Sequence, residues 1–174
     1  MNDFVIENKM LIKYVGENED VVVPQGITTI GALSFVGRPI KSVSIPEGVV
    51  AIGDNAFYEC VHLANVVIPK SVKHIERQAF GYCRSLEKVI IPEGVRFIGD
   101  EAFIGCSKLS SVTMRYGTIE LASRCFVGCA SLTSFSTIGS TVISRNFPPG
   151  DSLFTALPIT PFFLLSSNIS PLNR

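Results

Sequence analysis

Residues 69–91 read PKSVKHIERQAFGYCRSLEKVII, and residues 92–114 that follow read PEGVRFIGDEAFIGCSKLSSVTM. The two stretches align without a gap, and the same 23-residue step continues on both sides. Three sets of residues keep it: Pro46, Pro69 and Pro92; Phe57, Phe80, Phe103 and Phe126; and Cys60, Cys83, Cys106 and Cys129. A fixed period of about 20–50 residues indicates one supersecondary unit stacked many times. Proteins of this kind bind through a long surface rather than through a pocket.

Each unit separates an inside from an outside. Eight positions of residues 69–91 stay apolar or small in the neighbouring units, and the others vary among polar residues. Apolar residues alternate in Val89-Ile90-Ile91, which predicts a short strand whose middle residue points outward. Proline follows the strand because it cannot donate to a sheet ladder. A second extended piece follows at residues 72–75, and then a tight-turn or single-turn helical stretch through Ala79-Phe80 to Cys83. The eight core positions are Val72, Ile75, Ala79, Phe80, Cys83, Leu86, Val89 and Ile91.

The repeated aromatic and thiol residues are predicted to lie in the core. The phenylalanines should form a spine through the stack, with Phe35 at its N-terminal end, although a ligand-stacking platform is the alternative. The cysteines invite a disulfide or zinc interpretation. Stacked parallel side chains do not point at one another as a disulfide requires, and a straight ladder lacks the tetrahedral convergence of a zinc site. We therefore expect small, buried, reduced cysteines.

The two ends of the chain depart from the repeat. Residues 1–23 are predicted to form a cap, with a hairpin around Asn8-Lys9 followed by an entry strand. Residues 24–137 hold the repeats, and residues 138–174 are predicted to be an irregular apolar tail. The tail is interpreted as a cap, a contact segment or the remnant of a longer array.

Composition excludes several classes of function. The 174 residues are 47% hydrophobic and 17% charged, with zero formal net charge, so there is no basic stripe for nucleic acid. The N-terminus has neither a basic segment nor an apolar run and is not a signal peptide, which makes a cytoplasmic location the default expectation. The apolar stretch at residues 153–165 is too short for a membrane helix and contains Pro158 and Pro161.

The unit I-P-x-x-V-x-x-I-x-x-x-A-F-x-x-C-x-x-L-x-x-V-x-I resembles the BspA-like class of leucine-rich repeats over about residues 3–137. The resemblance implies an α/β, mostly β, right-handed solenoid shaped like a horseshoe. A parallel sheet would line its concave face, and short turn or helical segments its convex face. It also implies protein–protein interaction or adhesion, often at bacterial or protist surfaces.

No catalytic or cofactor-binding motif is found. His62 and His74 occupy variable outward positions without a repeat-matched acid or nucleophile. We therefore expect a non-catalytic protein-binding module without a cofactor or metal, whose protein partner is unidentified. The alternative is a structural element that self-associates through the apolar tail, or a fragment of a longer repeat protein.

The predicted binding surface is the row of outward strand residues on the concave face. Val67 and Ile90 are adjacent and apolar where a polar residue is usual, and an exposed apolar patch is typical of an interaction site. The alternatives are that β-branched residues simply suit strands, or that the tail covers them. The predicted site residues are Val22, Ser44, Asn65, Val67, Glu87, Lys88, Ile90 and Thr113.

Overall fold

A computed structural model describes residues 3–144 of the chain, and within this range the regular structure is entirely β. Every coil of the repeat contributes two short strand positions separated by turns, so the chain forms a mostly β repeat solenoid of about six coils. The strands are Phe4–Glu7 (β1), Met10–Tyr14 (β2), Asp20–Val22 (β3), Thr29–Ile30 (β4), Ser42–Ser44 (β5), Ala51–Ile52 (β6), Asn65–Val67 (β7), His74–Ile75 (β8), Lys88–Ile91 (β9), Phe97–Ile98 (β10), Ser111–Leu121 (β11) and Ser134–Ser144 (β12).

The strands stack in two parallel rows. One row follows the prolines and runs β2-β4-β6-β8-β10, continuing into the C-terminal parts of β11 and β12. The other row precedes the prolines and consists of β3-β5-β7, then β9 with the N-terminal parts of β11 and β12. Antiparallel β1 and β2 form the entry hairpin, whose turn residues Asn8 and Lys9 have φ of 48° and 62°. The hairpin extends the first row at the N-terminal end of the solenoid.

The stretch through Ala79-Phe80 to Cys83, predicted to be a tight turn or a single helical turn, consists of turns. No helix occurs in residues 3–144. The backbone N–H groups here alternate between two kinds of acceptor. Phe80 and Tyr82 donate to Ala102 and Ile104 of the next coil at 2.8 and 2.7 Å, whereas Gly81 donates back to Gln78 at 2.9 Å. A helix would use every N–H within its own coil and would leave the bonds between coils unmade.

The core is a column of aromatic rings, as predicted. Phe35, Phe57, Phe80 and Phe103 are fully buried, and consecutive ring centroids lie 4.8, 5.1 and 5.2 Å apart. The column continues to Phe126 at 5.4 Å, and at the other end to Tyr14 of the hairpin at 5.2 Å from Phe35. Offset stacking at these distances adds to the free energy gained by burying each ring. All eight core positions of residues 69–91 are at most 2% exposed.

The proline position explains why β11 and β12 are long. Arg115 and Ile138 stand where the earlier coils have proline, and they pair with each other within a continuous parallel ladder. Without a proline to remove a donor, each strand runs on from the row before the proline position into the row after it. Ile119 and Leu121 are buried beyond this point, and Ile119 stands one register position later than Val95 of the preceding coil. The register of β12 with β11 reaches Ser144, and the rest of the predicted tail, residues 145–174, lies outside the described residues.

Candidate functional site

The strands before the prolines present their outward side chains on one side of the solenoid, which we call the ladder face. In a strand, side chains alternate between the two sides, so the residue between two buried positions points outward. Val21, Val43, Val89 and Val112 are buried. Two rows of side chains lie on the ladder face: Val22, Ser44, Val67, Ile90, Thr113 and Ser136; and, two residues earlier in each strand, Asp20, Ser42, Asn65, Lys88, Ser111 and Ser134.

Strand register aligns the predicted site residues across the coils. Val22, Ser44 and Val67 pair in sequence across β3, β5 and β7, and Ile90, Thr113 and Ser136 pair across β9, β11 and β12. With strands about 4.8 Å apart, six of them span about 24 Å. The predicted residues therefore form a stripe along the solenoid rather than a compact pocket, with Val22 at its N-terminal end and Thr113 toward its C-terminal end.

Three of the predicted residues are exposed apolar side chains. The exposed fractions are 74% for Val22, 63% for Val67 and 51% for Ile90. Ser44 is also exposed and separates Val22 from the other two. Thr113 is only partly exposed, and its hydroxyl accepts a hydrogen bond from Ser136 at 3.2 Å. The apolar surface is thus concentrated on the two neighbouring coils that carry Val67 and Ile90.

The two halves of the ladder face meet at a break between β7 and β9. Strand pairing joins β5 to β7 and β9 to β11, but within the described residues no strand pairing joins β7 to β9. Val66, which points inward like Val43 and Val89, is only partly buried. The break thus lies between the two strands that carry Val67 and Ile90. Nothing in the repeat pattern distinguishes this coil boundary from the others, and sequence reasoning missed it.

Charged groups along the ladder face differ in whether they have partners. At the N-terminal end, Lys41 forms an ion pair with Glu19 at 2.5 Å, which raises the pKa of Lys41 through a hydrogen bond and charge attraction. Ser42 donates to Asp20 at 2.5 Å. Near the apolar patch, by contrast, exposed Glu87 and Lys88 take part in no ion pair among residues 3–144. Their charges are therefore available to a partner beside the patch.

The cysteines form a second ladder, but it lies inside the core. The thiols of Cys60, Cys83, Cys106 and Cys129 each donate to the backbone carbonyl of a phenylalanine in the preceding coil, at 3.0–3.2 Å. All five cysteines of the chain are free thiols. Burial raises the pKa of Cys60 and of Cys125 to about 12, and a hydrogen bond with Cys129 together with burial raises the pKa of Cys106. The raised pKa values keep Cys60, Cys106 and Cys125 protonated at neutral pH. The thiols give a second donor to phenylalanine carbonyls that already accept a backbone N–H group.

The two histidines lie on the surface of the solenoid. His62 and His74 are exposed, and the nearest ring to His74 is that of Phe97 at 6.4 Å. Over residues 3–144, no group of three or more histidine, cysteine, aspartate or glutamate side chains is arranged to hold a metal ion. The same range contains no helix that is long and apolar enough to cross a membrane.

Comparison with solved structures finds the same repeat architecture in bacterial proteins. A leucine-rich cell surface protein from Faecalibacterium prausnitzii superposes with a TM-score of 0.69 at 28% identity, over 74% of this chain and 35% of that protein. The leucine-rich repeat protein of T. pallidum superposes with a TM-score of 0.62 at 24% identity, over 80% of this chain and 82% of that protein. The pneumococcal vaccine antigen PcpA superposes with a TM-score of 0.66 at 21% identity, over 89% of this chain and 44% of that protein. The last two similarities support the fold alone.

A family model supports the same conclusion from the sequence. The model of the BspA type leucine-rich repeat region matches residues 9–147 in six copies. No curated protein matches the chain. The match covers most of the chain and coincides with the coils of the solenoid, and the chain therefore belongs to the BspA-type leucine-rich repeat family.

Proposed function

We propose that this protein is a non-catalytic interaction module and that a partner protein binds its ladder face. The observation that supports this most is the adjacent exposure of Val67 and Ile90 on neighbouring coils, at 63% and 51%. We further propose that the coils curve into a right-handed horseshoe with the ladder face on its concave side. A partner seated there contacts several coils at once.

The apolar patch provides binding free energy, and its surroundings provide specificity. Complete burial of a valine or isoleucine side chain stabilises by about 1.5–3 kcal/mol, so covering the exposed half or more of two such residues gives about 2–3 kcal/mol. Asn65, Lys88 and Glu87 border the patch and offer an amide, a cation and an anion to polar groups of the partner. Such charges at the rim of an interface mainly determine orientation and association rate.

A role in adhesion at a cell surface follows as part of the same proposal. The relative from F. prausnitzii is described as a cell surface protein, and the present chain spans about a third of its length. The absence of a catalytic role rests on the chemistry of the described residues. Raised pKa values hold the thiols of Cys60, Cys106 and Cys125 protonated, and within residues 3–144 the two histidines belong to no metal-holding group of histidine, cysteine and acidic side chains.

The experiment compares how much partner protein is captured by the unmodified full chain and by a double variant, Val67→Lys with Ile90→Lys. Both side chains point into solvent, so the melting temperature should stay within about 2 °C of the unmodified chain. Capture of the partner should be lost, because two desolvated lysines replace the apolar contact.

A matched control separates this effect from added charge. Val36 and Val50 are each 43% exposed and lie outside the ladder face. The variant Val36→Lys with Val50→Lys adds the same two charges and should retain the partner. If the Val67/Ile90 variant captures the same protein as the unmodified chain does, the ladder face is not the binding site.

A structural, self-associating element is the second candidate, favoured by the outer edge of β12, with which no strand of residues 3–144 pairs. Light scattering over a range of protein concentrations distinguishes the two functions. A mass that rises with concentration, together with no captured partner, favours assembly over binding.

A further inference from the structure

The turn after each core phenylalanine has the same backbone conformation in five coils. The second residue beyond the phenylalanine has a positive φ, between 57° and 77°, in every one of them. These residues are Gly37, Glu59, Tyr82, Gly105 and Gly128. Glycine adopts this conformation freely, whereas other side chains adopt it at a cost, and such residues concentrate at binding sites. Glu59 and Tyr82 are the two exceptions, and they lie in neighbouring coils that the N–H group of Glu59 joins by donating to the carbonyl of Gly81 at 2.8 Å.

Two tyrosine rings cover the neighbouring glycines at this place. The ring of Tyr58 lies over Gly81, where an added Cβ atom would come within 2.9 Å of it. The ring of Tyr82 lies over Gly105 in the same way, at 2.5 Å. The two rings meet edge to face, with centroids 5.5 Å apart and planes at 75°, and both are partly exposed. They form an angled aromatic surface on the turns, apart from the strands of the ladder face.

A carboxylate without a partner lies beside these rings. Glu59 is exposed, and among residues 3–144 no cation forms an ion pair with it or a cation–π contact with either ring. Burial and, after it, the charge of Glu59 raise the pKa of Tyr58, which places this carboxylate close to the phenol. Glu101 also acts on Tyr58, but Arg124 at 2.8 Å and Gln78 at 2.7 Å already occupy its two oxygens. Aromatic ring faces beside a free carboxylate attract a cation.

We propose that Tyr58, Glu59 and Tyr82 form a binding site for an arginine side chain of a partner polypeptide. The planar guanidinium group stacks on a tyrosine ring and donates paired hydrogen bonds to the carboxylate of Glu59. The compact ammonium group of lysine does not offer this combination, so arginine is the cation that fits. None of the three residues lies on the ladder face, and this site is therefore tested separately from the one proposed there.

The probe is a five-residue glycine–serine peptide with one central arginine and blocked ends, added to the full chain. Nuclear magnetic resonance follows the backbone amides of Gly81 and Gly105, which lie beneath the two rings. The arginine peptide should shift both signals saturably. A peptide with citrulline in place of arginine has nearly the same shape without the charge, and it should leave both signals in place.

Two substitutions remove the rings by using residues that other coils already carry. Tyr82→Gly installs the residue of Gly37 and Gly105, which suits the positive φ, and Tyr58→Val installs the residue of Val36. The double variant should bind the arginine peptide about tenfold more weakly, because the contacts with both ring faces are lost. Glu59→Gln keeps both rings and should weaken binding about two- to fivefold.

The variant Val67→Lys with Ile90→Lys distinguishes this site from the ladder face and should bind the arginine peptide as the unmodified chain does. Loss of binding in that variant would overturn the proposal, because it would place the arginine on the ladder face. Equal shifts from the arginine and citrulline peptides would overturn it as well. So would an affinity that neither the Tyr58/Tyr82 variant nor Glu59→Gln changes, or a matched lysine peptide that binds as tightly as the arginine peptide.

Discussion

Replacing Phe80 by alanine should remove about 3–5 kcal/mol from the free energy of unfolding. Phe80 is fully buried, and its ring stacks on Phe57 at 5.1 Å and on Phe103 at 5.2 Å. Burial of the side chain stabilises by about 1.5–3 kcal/mol, and each stacked neighbour adds about 0.5–1.5 kcal/mol. Both contributions are lost together, and a cavity is left in the middle of the column.

Phe97, at the surface of the solenoid, provides a matched phenylalanine-to-alanine control. Its ring is partly exposed and only tilts against His74 at 6.4 Å, so Phe97→Ala should cost about 1 kcal/mol or less. Urea denaturation of the full chain, followed by circular dichroism, measures both variants against the unmodified protein. A loss below about 1 kcal/mol for Phe80→Ala, or equal losses for the two variants, would refute the aromatic column as the main support of the core.

Three further predictions test other contacts. The four ladder cysteines should resist alkylation in the native state and react within minutes in denaturant, and rapid native labelling of all four would contradict their burial. Because the pKa of Cys60 is raised to about 12, its contribution to stability is complete below about pH 9 and is lost as the pH rises toward 12. Cys60→Ala should therefore weaken the fall of the urea midpoint over this interval, and an unchanged fall would count against the raised pKa. Gly105→Ala should lower stability more than Gly26→Ala does: both glycines have positive φ, but only at Gly105 would the new Cβ lie 2.5 Å from the ring of Tyr82. Equal melting temperatures for these two variants would show that the contact with Tyr82 has no effect.

Much of the fold could be predicted because each core position recurs at a fixed step. A residue such as Phe80 or Val89 is apolar in every coil, so its burial is indicated several times independently. The exposure of Val67 and Ile90 followed from the alternation of side chains in a strand. Whether these residues bind a partner stays a prediction, because exposure alone does not identify a ligand.

Other features depend on contacts that a single repeat does not encode. The turns at residues 78–82 replace a helical stretch because their N–H groups bond to the next coil, which local sequence does not reveal. The loss of proline at Arg115 was visible, but its consequence, one long strand joining both rows, depends on the register with β12. The break between β7 and β9 has no sequence signal that we can identify.

Photo-crosslinking to the captured partner tests the ladder face as the binding site most directly. A photoreactive phenylalanine analogue is placed at Ser44 or Asn65 on the ladder face, and at Arg77 or Arg84 on the turns; all four side chains are exposed. Binding to the ladder face predicts cross-linked partner from Ser44 and Asn65 and none from Arg77 and Arg84. Cross-links from the two turn positions alone would contradict it and would place the partner on the turns instead.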